Sequence, residues 1–268
     1  MQPLKHKRLV ITGAGSGIGR ATSLLAAAEG ASVVAVDIAE GVEATVAEIK
    51  AAGGHAIAVR ADTSDEPAVA GCIARCIDTY GGLDGVFANA GVGGAGKPLA
   101  ELSTADWQRT LGVNTIGVFL TLKHAIPHLV LQGSGALLCT ASVAGLRANA
   151  GGIDYSASKA AVISIVQTVA YQLYGTGVRV NAICPGLIET GMTRGAFERA
   201  RERGTEDRIG QLNPTRRAGQ PVEIAQLACF LLSERASYVN GQAIAVDGGL
   251  SASLPWVFPR PSDPNRPA

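Results

Sequence analysis

Aromatic residues are scarce. Phe, Trp and Tyr together make up 4% of the 268 residues, and only two are Trp. A core without large rings must be filled by small aliphatic side chains, and the chain is 47% hydrophobic with 44 Ala. Charge is also sparse, at 17% Asp, Glu, Lys and Arg, and the formal net charge is +1. That balance argues against a nucleic-acid binder driven by phosphate contacts. No segment approaches about 18 uninterrupted apolar residues, so no membrane span is expected. The first eight residues carry several charges but lack the apolar stretch and cleavage site of an export signal. A cytoplasmic location is therefore expected. The five cysteines, at 72, 76, 139, 184 and 229, are odd in number and follow no disulfide framework. No His or Cys joins Cys72 and Cys76 at a ligand spacing, so no metal is expected and the thiols read as buried, reduced and structural.

Glycine is the excess. There are 34, about 13% of the chain against a usual share of roughly 7%. They show no three-residue period, which excludes collagen. Abundant Val, Ile and Leu with low net charge exclude disorder for most of the chain. The length suits one large α/β domain or two small ones.

Along the chain, apolar runs alternate with helical patterns. Strands are expected at Arg8–Ile11, Ser32–Asp37, His55–Arg60, Leu83–Ala88, Gly135–Cys139, Val178–Ile183 and Ala243–Val246. Helices are expected at Gly19–Glu29, Val42–Ala52, Glu66–Tyr80, Thr104–Leu131, Tyr155–Tyr174 and Pro221–Leu232, with Pro127 kinking or stopping the fourth. Continuous apolar strands separated by helices predict a doubly wound, Rossmann-like α/β fold. Its seven-stranded parallel sheet would carry helices on both faces. Residues 1–250 read as one domain. Two segments depart from the alternation. Residues 189–220 are rich in Arg, Gly and Glu and read as a lid; residues 251–268 hold five of the twelve Pro and read as an extended C-terminal arm.

Thr12-Gly13-Ala14-Gly15-Ser16-Gly17-Ile18-Gly19 joins the first strand to the first helix. Glycines permit close backbone approach, and the helix N-terminus offers free N–H groups to a pyrophosphate. Asp37 ends the second strand 18 residues after Gly19, where a carboxylate accepts bonds from both ribose hydroxyls of an adenosine. The same carboxylate repels a 2′-phosphate, so NAD is expected over NADP.

The glycine spacing is G-x-x-x-G-x-G, and with Thr12 it resembles the short-chain dehydrogenase/reductase family. The resemblance spans residues 5–250 and includes Asn89-Ala90-Gly91, Asn114, Ser142, Tyr155-x-x-x-Lys159, Pro185-Gly186, Thr190 and Asp247-Gly248-Gly249. Ala88 departs from it, standing where many members carry a second Asn. The resemblance implies NAD-type cofactor contacts from Gly13, Ser16, Gly17, Ile18, Gly19, Pro185 and Gly186. It places Asp62 and Thr63 beside the adenine, and Asn89 and Gly91 along the adenosine ribose. It assigns Ile188 and Thr190 to the nicotinamide carboxamide. It gives Lys159 a bond to the nicotinamide ribose and Asn114 a water linking Lys159 to solvent. It also implies a homotetramer.

Tyr155 and Lys159 are four apart on one helix face. Tyrosine is a poor base with a pKa near 10, and a nearby ammonium lowers that value. Ser142, at the end of the fifth strand, would hold the substrate oxygen near Tyr155. The expected reaction is interconversion of a secondary alcohol and a ketone by hydride transfer, with Tyr155 as general acid and base. A 3-oxoacyl carrier-protein reductase is the alternative, and a non-catalytic dinucleotide sensor a further one. Substrate contacts are expected from Ala144, Arg147, Asn149, Leu187 and Met192. Seven Arg fall in 194–217 against five acids in 189–217, which reads either as an anion site or as a solvated lid face, the latter preferred. Trp256 and Phe258 read either as packing on a neighbouring subunit or as part of a packed, functionally neutral C-terminal arm, the latter preferred.

Overall fold

The computed structural model describes residues 2–253, and the structure below refers to these. Seven strands form one parallel sheet: β1 (Arg8–Thr12), β2 (Ser32–Asp37), β3 (His55–Arg60), β4 (Gly85–Ala88), β5 (Gly135–Thr140), β6 (Val178–Pro185) and β7 (Ala243–Val246). Their order across the sheet is β3-β2-β1-β4-β5-β6-β7. The doubly wound α/β reading of the sequence holds.

The apolar strands are buried on both faces because successive side chains point opposite ways. Leu9 and Ile11 join one core with Val33, Phe87 and Leu138, while Val10 joins the other with Val34, Val86 and Leu137. The first core is closed by α1 (Gly17–Ala28), α2 (Gly41–Ala51) and a C-terminal helix over Pro221–Leu232. The second is closed by α3 (Glu66–Tyr80) and two long helices described next. Phe87 is the one aromatic among the largest fully buried side chains.

The expected single helix over 104–131 is three pieces. Thr104–Leu111 is α4, begun by a capping box between Ser103 and Asp106. Gly112–Ile116 forms a wider π turn, and Gly117–Gln132 is α5. Asn114 lies in the π turn, with its side chain bonded inward to Val92 and Ser158, far away along the chain. Pro127 neither stops nor ends α5, which runs to Gln132 and closes on Gly133 in the left-handed region. The buried Leu129 anchors that last turn against the sheet. The next long helix, α6, covers Ile153–Gln172, two residues earlier at each end than expected. Between β6 and the last helix, residues 189–220 contain α7 (Arg194–Glu202); the helix over Pro221–Leu232 is α8.

Sequential strands run outward from β1 to β3, and β4 then returns to the other side of β1. The crevice at this reversal opens beyond the C-terminal strand ends, where ligands gather in such sheets. The first turn of α1 presses directly on the β1–α1 turn. An ideal Cβ at Gly19 would sit 2.6 Å from the Gly13 carbonyl carbon and 2.7 Å from Asn89 Nδ2. Gly19→Ala is therefore expected to cost about 1–3 kcal/mol through overpacking. Gly71→Ala, in the open middle of α3, should be neutral or stabilising by about 0.5–1 kcal/mol. Urea denaturation of both variants measures the contrast; equal effects would contradict it.

Candidate active site

A cleft of about 910 Å³ runs across the C-terminal ends of the strands. At one end lies the glycine turn, with Gly13 at φ +67 and Gly17 at φ +52, both in the left-handed region. Ser16 begins α1 but makes no side-chain capping bond, and Ser16, Gly17 and Ile18 line the cleft. Helix-start N–H groups beside a glycine turn form a cradle for an anionic group. Asp37 stands beside it, accepting from the Gly15 N–H at 2.8 Å and the Ala39 N–H at 2.9 Å. Farther along the same wall, Asp62 accepts from the Ser64 N–H at 2.8 Å, and Thr63 is buried.

Asn89 fastens three strand ends together. Its N–H and that of Ala90 donate to Thr12 Oγ1 at 2.9 Å, and its Nδ2 donates to the Thr12 carbonyl at 3.0 Å. Its Oδ1 accepts from the Thr140 hydroxyl at 2.9 Å. The ends of β1, β4 and β5 are thereby held at one level on the cleft floor.

Ser142, Tyr155 and Lys159 line the other end of the cleft. Ser142 caps the 143–145 turn, accepting from the Ala144 N–H at 3.1 Å. Lys159 is buried, donates from Nζ to the Thr140 carbonyl at 2.8 Å, and sits 5.7 Å from the Tyr155 ring centroid. Burial pulls its ammonium down to about 8. Burial also pushes the Tyr155 hydroxyl above its usual value, opposed by the Ser142 hydroxyl. The sequence reading had an ammonium lowering the Tyr155 pKa. Burial is the larger of the effects acting on Tyr155.

Asn114 lies behind the cleft, fully buried. Its Oδ1 accepts from the Val92 N–H at 2.8 Å, and its Nδ2 donates to the Val92 carbonyl and Ser158 Oγ, both at 3.0 Å. Its side chain thus ties the loop after β4 to α6. Gly91 leaves room there: an ideal Cβ would be 3.2 Å from Asn114 Oδ1 and 3.5 Å from Lys159 Nζ. Pro185, Gly186, Ile188, Thr190 and Met192 form the lid-side wall. Thr193 shapes it, donating to the Ile188 carbonyl at 2.6 Å and accepting from the Thr190 N–H at 3.0 Å.

Six expected residues do not line the cleft: Asn114, already placed behind it, and five more. Gly19 lies beneath the turn. Ala144 is buried, and the Leu187 carbonyl accepts from the Gly219 N–H at 2.9 Å. Arg147 bends away, donating from Nε to the Ser251 carbonyl at 2.8 Å. Asn149 sits on an exposed loop at φ +66. None of the seven lid arginines lines the cleft either. Arg201 pairs with Glu189, Arg217 with Glu223, and Arg216 bonds Gln211. Trp256 and Phe258 lie outside the described residues. Conversely, Gln108, Arg109, Gly112 and Val113 do line the cleft and were not anticipated. The four-residue step from Arg109 to Val113, one helical face beside Asn114, was the available signal. All five cysteines are buried and free, and burial pushes Cys72 and Cys184 up to about 11 and Cys76 and Cys139 up to about 12. Such thiols are inert at neutral pH. Among the described residues no group of His, Cys, Asp and Glu is placed to hold a metal, and no helix is long and apolar enough to cross a membrane.

A doubly wound sheet with a glycine turn at one end of its crevice and Ser, Tyr and Lys at the other defines a nucleotide-dependent oxidoreductase. Residues 13–251 match the family profile described as Enoyl-(Acyl carrier protein) reductase. The chain is 40% identical to cis-4-hydroxycyclohexanecarboxylate dehydrogenase of Sinomonas cyclohexanicum over 243 residues, covering 91% of this chain and 96% of that protein. The crystal structure of levodione reductase is similar at a TM-score of 0.88 and 36% identity, covering 93% of this chain and 99% of that one. A structure described as a putative NAD(P)-dependent gluconate 5-dehydrogenase from Beutenbergia cavernae, with bound NADP at low occupancy, follows at 0.86 and 34%, covering 94% and 100%. The chain belongs to the short-chain dehydrogenase/reductase family. It is an oxidoreductase of secondary alcohols and ketones that binds a nicotinamide dinucleotide.

The buried Lys159 makes folding pH-dependent with a definite sign. Its folded pKa lies below its unfolded value, so the unfolded chain holds more protons between about pH 8 and 10. Wild type should therefore gain stability relative to Lys159→Met as pH rises through that window. Denaturation midpoints at pH 7, 8.5 and 10 test this, and a constant difference or the opposite trend would refute it.

Proposed function

We propose that the protein interconverts a ring secondary alcohol and its ketone, with NAD(H) in preference to NADP(H). The reading is carried by one observation: Ser142, Tyr155 and the buried Lys159 meet in the cleft that begins at the glycine turn and Asp37. The residues present fit a dinucleotide. Uncapped N–H groups of α1 and the left-handed Gly13 and Gly17 suit its pyrophosphate. Asp37 suits two ribose hydroxyls and disfavours a 2′-phosphate. When bound, the nicotinamide supplies or accepts the hydride.

The chain's own residues handle the proton and the substrate oxygen. The Ser142 hydroxyl orients that oxygen toward Tyr155. Tyr155, held as a neutral phenol by burial, donates its proton to a ketone oxygen. In the reverse direction it must first give up that proton, so alcohol oxidation gains with rising pH. Lys159 stabilises the phenolate and orients the nicotinamide ribose, and Asn114 supports it from behind. Asp62, Thr63, Asn89 and Gly91 flank the adenosine half, and Ile188 and Thr190 the carboxamide. A ring alcohol is favoured by the Sinomonas relative's named activity and by the lid arginines keeping off the cleft. A homotetramer in the cytoplasm completes the proposal. Exposed Phe119, Leu131 and Tyr171 on α5 and α6 support subunit contacts, and five free buried thiols support a reducing compartment.

Tyr155→Phe should lower kcat for cyclohexanol oxidation by roughly 10²–10⁴-fold with the fold intact. Retained turnover would overturn the assignment. Asp37→Ala should raise the NADP-to-NAD ratio of kcat/KM by about tenfold or more, equivalent to about 1.4 kcal/mol. A wild type that already prefers NADP would contradict the role of Asp37.

A further inference from the structure

Asp154 directly precedes Tyr155 in the first turn of α6, and it is only 1% exposed. A carboxylate so buried persists only where hydrogen bonds replace water. Two donors from other elements meet on its Oδ2: the Ala95 N–H at 2.9 Å and the Thr110 hydroxyl at 2.8 Å. Burial pushes the carboxyl up, but these bonds outweigh it and hold the group below the usual carboxylate range. The group therefore carries its charge beside the α6 N-terminus, where the helix dipole favours it.

The loop after β4 is built around this side chain. An ideal Cβ at Gly94 would lie 3.0 Å from Asp154 Cγ, so a side chain there would displace the carboxylate. Thr110 belongs to α4, whose neighbours Gln108 and Arg109 line the cleft. Gly93, one residue before the wrapped Gly94, lines the cleft too, with Met192 Cγ of the lid 3.9 Å from its ideal Cβ. One buried carboxylate thus ties two walls of the cleft to the turn that bears Tyr155.

We infer that Asp154 is a positioning residue that sets the substrate end of the cleft by fixing the 93–97 loop and α4 onto the first turn of α6. The inference rests on the proposed role of Tyr155. It makes a demand that mere structural support does not: substrate recognition should fail while cofactor binding survives, because the glycine turn and Asp37 lie at the far end.

The test uses the full chain with cyclohexanone and NADH, and NADH binding followed by fluorescence. Asp154→Ala should raise the KM for cyclohexanone by roughly tenfold or more, as misplaced walls do. The NADH Kd should stay within about twofold. Asp154→Asn should recover most of the loss, because one carboxamide oxygen accepts both donors that now meet on Oδ2. Wild-type KM in both variants would overturn the inference, even if their melting temperatures fall. Should Asp154→Ala not fold, Thr110→Val removes one donor alone; a KM raised severalfold is then expected, and an unchanged KM overturns the inference. An active Tyr155→Phe would instead defeat the underlying role of Tyr155, and its readout is kcat rather than KM.

Discussion

A single buried ammonium anchors the candidate site of this molecule. Lys159 is 2% exposed and bonds the Thr140 carbonyl at the end of β5. Burying such a charge costs several kcal/mol unless polar partners repay it. The surroundings are shaped to that end. Gly91 admits the ammonium beside Asn114, and Gly145 lets the serine-bearing turn approach the α6 backbone, where an ideal Cβ would sit 2.7 Å from the Lys159 carbonyl carbon. The same dry environment that lowers Lys159 also raises Tyr155, leaving a neutral phenol beside a cation whose proton is loosely held. With its pKa brought down to about 8, Lys159 exchanges its proton near neutral pH more readily than an exposed lysine would.

The sheet places that pair by its winding. The reversal at β1 and β4 opens the crevice, and Asn89 pins the three strand ends that floor it. The end bearing Ser142, Tyr155 and Lys159 and the glycine turn are thus mounted on one edge of the sheet. The cleft walls, by contrast, come from the 93–97 loop, α4 and the lid, which depend on side-chain bonds such as those of Asp154 and Thr193. A floor built from strand ends and walls built from loops and α4 fit a family in which relatives of similar fold act on different alcohols and ketones.

The features legible in the sequence were those written in short spacings. The turn from Thr12 to Gly19, Asp37 at the end of a β-branched strand, and the four-residue step from Tyr155 to Lys159 each depend on neighbours along one element. The sheet was legible for the same reason, since each strand is a continuous apolar run. What escaped depends on contacts between distant residues. The π turn at Gly112–Ile116 holds Asn114, which reaches Val92 and Ser158, 22 and 44 positions away. Arg147 was expected near substrate, yet it finds the Ser251 carbonyl 104 positions on. Asp154 had no signal at all, because its meaning lies in Ala95 and Thr110. The sign of the Tyr155 shift also needed burial, which spacing does not report.

The most direct test of the central claim follows the hydride. Cyclohexanol deuterated at the carbinol carbon would be oxidised with NAD⁺, and the label traced by NMR. The account predicts deuterium at C4 of the reduced nicotinamide in wild type, and transfer slowed by roughly 10²–10⁴-fold in Tyr155→Phe. Label lost to water, or transfer undiminished in Tyr155→Phe, would contradict it.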